Sequence, residues 1–220
     1  MNFINQCTAA IVLAAGKGTR MGSSLPKVLH KIHDKSMIDH VTERLSQTTV
    51  GHITVVLSSE HGAFKDFLSK NKNFSACVQT RVNGTASAVA CCLSLFSPGE
   101  DIDYAPGEVI QPHDLTHISH LLVCAGDTPA ISPQTLDDFM SYSLTKNADI
   151  SVLGMDTPDP TGYGRLLVNN QGELSGIVEE KDATDEQRKI TLCNTGIIFA
   201  KRQFLFESLR GITNKNAQKE

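Results

Sequence analysis

The chain has 220 residues, 40% of them hydrophobic and 20% charged, which suffices for one sizeable α/β core or two small ones. A net charge of −4, with lysines and arginines scattered rather than blocked, argues against a protein that grips nucleic acid or an anionic membrane through a basic patch. Six cysteines without C-x-x-C spacing, no positively charged leader and no apolar run long enough to span a bilayer lead to the expectation of structural thiols in a reducing cytoplasm.

In chain order, "AAIVLAAG" (9–16) predicts a short buried strand followed at once by a glycine turn. The amphipathic "MIDHVTERLSQ" (37–47) and the apolar "HITVVLSS" (52–59) complete a β-α-β unit. "NGTASAVACCLSLF" (83–96) carries small and apolar residues at helical spacing, and "ISHLLVCAGDTP" (118–129) is another buried strand, ending in Gly-Asp. "SPQTLDDFMSYSLTKN" (132–147) begins with serine before proline, a helix start, and "DISVLGM" (149–155) follows as a strand. "GYGRLLV", "NNQGE" and "LSGIVEEK" (162–181) predict a β-hairpin around a polar turn. Strands alternating with helices imply a mostly parallel mixed sheet with helices on both faces and a small hairpin subregion, the whole of 1–220 forming one domain. Ligands then belong at the carboxyl ends of the strands, where Gly16 and Asp127 fall. "SPGEDIDYAPGEVIQPHDLTH" (97–117), rich in Pro, Gly and acid, is expected to be an irregular insertion.

The residues that carry chemistry begin with the glycine loop. A turn leaving a buried strand presents backbone N–H groups, and glycine lets that backbone approach an anion; Arg20 and Lys27 would add full charges. Gly16, Gly18 and Gly22 follow a G-x-G-x-x-x-G spacing, which is neither a Walker loop nor a dinucleotide fingerprint. Asp127, just past a strand, either holds a hard cation with substrate phosphates or only caps its turn. Neighbouring strand residues point to opposite faces, so of Glu179 and Glu180 only one, Glu179 by expectation, faces a polar ligand. Asp101 and Asp103 make a D-x-D, but inside the irregular segment. The eight histidines have no zinc spacing.

Together these motifs resemble a family. "LAAGKGTRMGSSLPKVLH" is similar to the signature loop of sugar-1-phosphate nucleotidyltransferases. "GTASAV", "GDTPAIS", "DPTGYGR", "GIVEEKDATDEQRKI", "NTGI" and "TNKNAQKE" follow in the order of the uridyltransferase domain of bacterial bifunctional N-acetylglucosamine-1-phosphate uridyltransferases. The resemblance implies a Rossmann-like nucleotidyltransferase fold, a cytoplasmic enzyme, and UTP and N-acetylglucosamine 1-phosphate as substrates, with Mg2+ as cofactor. It implies that Leu13, Ala14, Gly16 and Gly18 contact the nucleotide, that Arg20 meets the leaving phosphates, and that Lys27 bridges the α-phosphate and the attacking phosphate. Gln79, Gly84 and Thr85 would hold base and ribose, Asp127 the magnesium, and Gly164, Glu179 and Asn194 the acceptor sugar. Val82 stands where the family carries a second glutamine that reads uracil, so weaker base selectivity is expected. The stretch from Thr85 to Asp127 is longer than usual by about 20 residues. The sequence stops ahead of the family's "YYxTD" segment and of the asparagine that gives magnesium its second protein ligand. Weak or absent uridyltransferase activity is therefore expected of residues 1–220. Lacking the β-helix acetyltransferase domain that makes the family trimeric, the chain is expected to be a monomer.

Overall fold

Alternate residues of the first strand face opposite ways, and each face meets its own core. In the computed structural model, which describes residues 7–16, 18, 21–59, 61–80, 84–100, 102, 105 and 107–212, β1 (Thr8–Leu13) sends Ala9 and Ile11 into one apolar cluster and Ala10 and Val12 into another. That alternation, buried on both sides, is what a central strand between two helical layers requires. A short ribbon, β2 (Lys31–Ile32) and β3 (Lys35–Ser36), leads into α1 (Met37–Leu45). Ser36 and Asp39 start this helix with a capping box, each side chain bonding the other's backbone N–H at 3.2 Å. β4 (His52–Ser58), α2 (Lys65–Lys70), β5 (Ser75–Gln79), α3 (Gly84–Ala90) and α4 (Leu93–Phe96) follow. Next come β6 (Gly107–Gln111), β7 (His120–Ala125) and α5 (Pro133–Thr145), the last capped by Ser132 with Pro133 in its first turn. β8 (Ile150–Asp156), β9 (Arg165–Val168), β10 (Leu174–Val178), α6 (Asp185–Arg188), β11 (Leu192–Lys201) and α7 (Arg202–Arg210) complete the described chain.

Among the described residues nine strands form one sheet, in the order β10-β9-β11-β7-β1-β4-β5-β6, with β8 also paired to β11. The central ladder β7-β1-β4-β5 is parallel, as the alternation of strands and helices predicts. Both flanks are antiparallel, β6 on β5 at one side and β11, β8, β9 and β10 at the other. The expected strand at 149–155 exists, but it runs against β11 instead of joining the parallel set. α1 and α5 pack Ile38, Val41, Leu136 and Met140 on one face, while α3, α4 and α7 pack Val89, Leu93, Phe96 and Phe206 on the other.

The segment 97–117 corrects the expectation of an irregular insertion, because its residues 107–111 form an edge strand. Gln111 holds that strand in place: its Nε2 donates to the carbonyls of Asn71 and Phe74 at 2.8 and 2.5 Å. Asp101 and Asp103 lie outside the described residues, as do Arg20 and Val82. At the amino-terminal edge of the sheet His52, His113 and His117 line a recess of about 460 Å³. Ser75 Oγ lies 2.9 Å from His52 Nε2 and 3.3 Å from His113 Nδ1.

Candidate functional site

At the opposite, carboxyl edge β1, β5 and β7 end around a cleft of about 310 Å³. Leu13, Gly16, Gly18, Lys27, Gln79, Gly84, Thr85 and Asp127 all line it. It lies where parallel strands release their chains, the usual ligand position in such sheets. Ala14 is the exception among the expected nucleotide contacts. Its side chain is buried in the core, and its backbone N–H donates to the Val56 carbonyl at 2.8 Å; Ala15 is on the cleft wall instead.

Local geometry explains the glycine loop. Gly18 has φ of +59°, and a Cβ there would sit 2.6 Å from Lys27 Cβ, so the loop folds directly onto the lysine. Only a residue without a side chain fits both the backbone angle and the gap. Lys27 opens a short 3-10 turn, Lys27–Leu29, whose Val28 is anchored in the core. Lys27 Nζ reaches across the cleft to Asp127 Oδ2 at 2.5 Å, with both side chains partly open to solvent. The two readings of Asp127 separate here. Its carboxylate goes to the lysine, whereas the side-chain hydrogen bond that closes the turn comes from Thr128 Oγ1 to the Ala125 carbonyl, 2.9 Å.

Gln79 is almost wholly buried, and its Nε2 donates to Ser87 Oγ and, at 3.4 Å, to the Gly84 carbonyl. It therefore fixes the start of α3 at the cleft wall. The expected acceptor residues gather beside the cleft. Asn194 N–H donates to the Gly164 carbonyl at 2.8 Å, and the Glu179 carboxylate lies 3.0 Å from where a Gly164 Cβ would be. Asn194 Oδ1 accepts from Gly196 N–H at 2.9 Å, and Gly196 lines the cleft. A register shift in β11 between Asn194 and Ile198 makes this possible, with Gly196 at φ +77°. One strand thus joins the two halves of the site.

Glu179 and Glu180 lie just past the end of β10 and part ways there, Glu179 lying against Gly164. Glu180 turns to Arg165, 2.7 Å, and that guanidinium, followed by the Gly162 N–H, holds its carboxyl below the usual carboxylate range. Arg165, Ser87 and Gly196 were not singled out by motif reading. A glycine inside the apolar "NTGIIFA" was the available sign of a bulge; Arg165 in a polar hairpin gave no sign that it would be buried.

Among the described residues no group of three or more His, Cys, Asp or Glu side chains could hold a metal by itself. Asp127 supplies one carboxylate, a hard oxygen donor at the mouth of the cleft, which suits Mg2+ when phosphates and water complete its shell. No described helix is long and apolar enough to cross a membrane. Five of the six cysteines are buried and the sixth half-buried, all as free thiols, and burial pushes Cys124 up to about 12.

Comparison with known proteins bears on the family and the fold. Residues 10–190 match the family model described as "MobA-like NTP transferase domain". The bifunctional protein GlmU of Lactococcus lactis subsp. lactis is 38% identical over 211 residues, covering 96% of this chain and 42% of that protein. That of Geotalea daltonii is 36% identical over 212 residues, with the same shares. The chain thus spans less than half the length of these curated relatives. Among solved structures, a putative glucose-1-phosphate thymidylyltransferase from Bacillus anthracis superposes with a TM-score of 0.72 at 20% identity, covering 97% of this chain and 78% of that one. That last likeness speaks for the fold.

Proposed function

The chain belongs to the MobA-like NTP transferase family, and on that footing we propose that it transfers uridylyl from UTP to N-acetylglucosamine 1-phosphate, giving UDP-N-acetylglucosamine and pyrophosphate. The observation that carries this reading is that the expected acceptor residues adjoin the cleft that the expected nucleotide residues line. The glycine loop, Lys27 and Asp127 converge at one end, and Gly164, Glu179 and Asn194 adjoin through Gly196. The similarity to GlmU proteins supports the choice of substrates. The sheet that builds both ends runs from residue 8 to 201, which supports treating the chain as one nucleotidyltransferase domain.

An oxygen of the acceptor's phosphate attacks the α-phosphorus, the bond from that phosphorus to the bridging oxygen of the β-phosphate breaks, and pyrophosphate leaves. No covalent enzyme intermediate is required, so the protein's part is positioning and charge neutralisation. Gly16 and Gly18 let the backbone come close to the triphosphate. Arg20 meets the leaving phosphates. Lys27, once a triphosphate replaces Asp127 as its partner, stabilises the charge that grows between the α-phosphate and the attacking phosphate. Asp127 and the phosphates would hold Mg2+, which supplies positive charge to the triphosphate. Thr85, Gly84 and Gln79 form the wall for base and ribose, and Asn194, Gly164 and Glu179 take the sugar hydroxyls and acetamide.

The test is pyrophosphate release measured with each of the four nucleoside triphosphates against N-acetylglucosamine 1-phosphate and glucose 1-phosphate. UTP with the amino sugar is expected to give the highest kcat/KM. Lys27→Ala is expected to lower kcat about 100- to 1,000-fold, the cost of losing one charge aimed at the transition state. Release that is fastest with another base or sugar, or unchanged in Lys27→Ala, overturns the assignment.

A further inference from the structure

Arg165 is fully buried, at 1% exposure, in a hairpin whose other charged side chains meet solvent. Its Nη1 donates to Glu180 Oε2 at 2.7 Å and to the Tyr163 carbonyl, and its Nη2 donates to the Arg188 carbonyl at 3.2 Å. Nε has no partner among the described residues. Glu180 Oε2 also accepts from Gly162 N–H at 3.3 Å, and Oε1 lies 3.7 Å from Arg188 Nε. One ion pair therefore ties together the loop at 162–164, the end of β10 and the short helix α6.

Burying a guanidinium is expensive, and an apolar side chain of similar size would fill the same space at lower cost. What the ion pair adds is direction. Arg165 follows Gly164, and Glu180 follows Glu179. One residue beyond the last ladder pair, Val178 with Arg165, the Glu179 carboxylate comes up against Gly164. Gly164 and Arg165 are neighbours in the chain, as are Glu179 and Glu180, so the buried Arg165–Glu180 ion pair, the inner pair, ties down the backbone next to the approach of Gly164 and Glu179, the outer pair. The outer pair is close, with the carboxylate 3.0 to 3.3 Å from the position a Gly164 Cβ would take. A small shift of the inner pair changes that spacing directly.

We propose that Arg165 and Glu180 are positioning residues for the acceptor, setting the distance between Gly164 and Glu179 and hence the affinity for a sugar 1-phosphate without touching it. This rests on the reading of Gly164, Glu179 and Asn194 as the acceptor end of the cleft. The nucleotide end is built chiefly where β1, β5 and β7 end, and none of the residues lining it belongs to the hairpin.

Steady-state pyrophosphate release, with UTP and N-acetylglucosamine 1-phosphate varied in turn, tests it on Glu180→Gln. The variant is expected to raise KM for the sugar phosphate about tenfold while leaving KM for UTP within about twofold. If Glu180→Gln fails to fold, the paired replacement Arg165→Met with Glu180→Leu removes both charges together and is expected to show the same split. A merely structural pair would disturb both KM values alike, or neither, and either result overturns the proposal. Wild-type protein that turns over no sugar phosphate overturns the functional reading and this role with it. Wild-type turnover with an unchanged acceptor KM in the variant overturns this role alone.

Discussion

Acidification is expected to destabilise this protein through His52. The ring is half-buried at the start of β4, 2.9 Å from Ser75 Oγ, with the His113 ring centroid 5.0 Å away. Burial first, then the charges of His113 and His117, lowers its pKa from 6.5 to about 4. Since the folded form resists the proton, the unfolded chain takes it first. Stability is complete above about pH 6.5, falls as the pH drops from there toward 4, and changes no further through this group below that. The difference between 6.5 and about 4, at roughly 1.4 kcal/mol per pH unit, caps the full loss near 3.4 kcal/mol. Between pH 7.5 and pH 5 roughly 2 kcal/mol of this is realised, and solvent contact of the half-buried ring reduces it to about 1 kcal/mol. Urea unfolding of wild type and His52→Gln at both pH values measures it; glutamine keeps a donor for Ser75 Oγ and does not titrate. The wild type should lose about 1 kcal/mol more than the variant on acidification. Equal losses in the two proteins would refute the reasoning.

Two further outcomes follow from the cleft. Gly18→Ala puts a methyl 2.6 Å from Lys27 Cβ at a φ of +59°; a loss of about 1–3 kcal/mol is expected in thermal or urea unfolding, with a raised KM for the triphosphate. A glycine-like melting temperature and KM in that variant would contradict the packing described. Chelation of divalent cations with EDTA is expected to stop pyrophosphate release and leave the urea midpoint unchanged, because Asp127 would hold the ion only together with substrate phosphates and no described side-chain cluster could hold one alone. A midpoint that falls on chelation would indicate a structural metal.

Much of the parallel centre was legible because its strands are short apolar runs bounded by turn residues, with Ser132 and Pro133 marking the start of α5. The antiparallel flanks were not. Which partner β11 takes depends on contacts distant in sequence, and its three neighbours β7, β8 and β9 leave no local mark. β6 was hidden for a different reason: its residues are exposed or half-buried, and the strand is held by one edge and by Gln111 rather than by an apolar pattern. In the site, strand alternation anticipated that Glu179 and Glu180 would part, although both lie just beyond β10. It could not indicate that Asp127 would meet Lys27, a hundred residues away in the chain.

The hairpin β9–β10 meets the main sheet through one ladder pair, Cys193 with Arg165, through the bond from Asn194 N–H to the Gly164 carbonyl, and through Leu166 packed beside Gly154, while its own polar clamp holds it in shape. An attachment built from so few contacts is expected to let the hairpin vary in sequence as a block, since its own ion pair carries much of its shape. The parallel strands β1, β4, β5 and β7 pair with one another and share no ladder with the hairpin, so such variation leaves their register untouched.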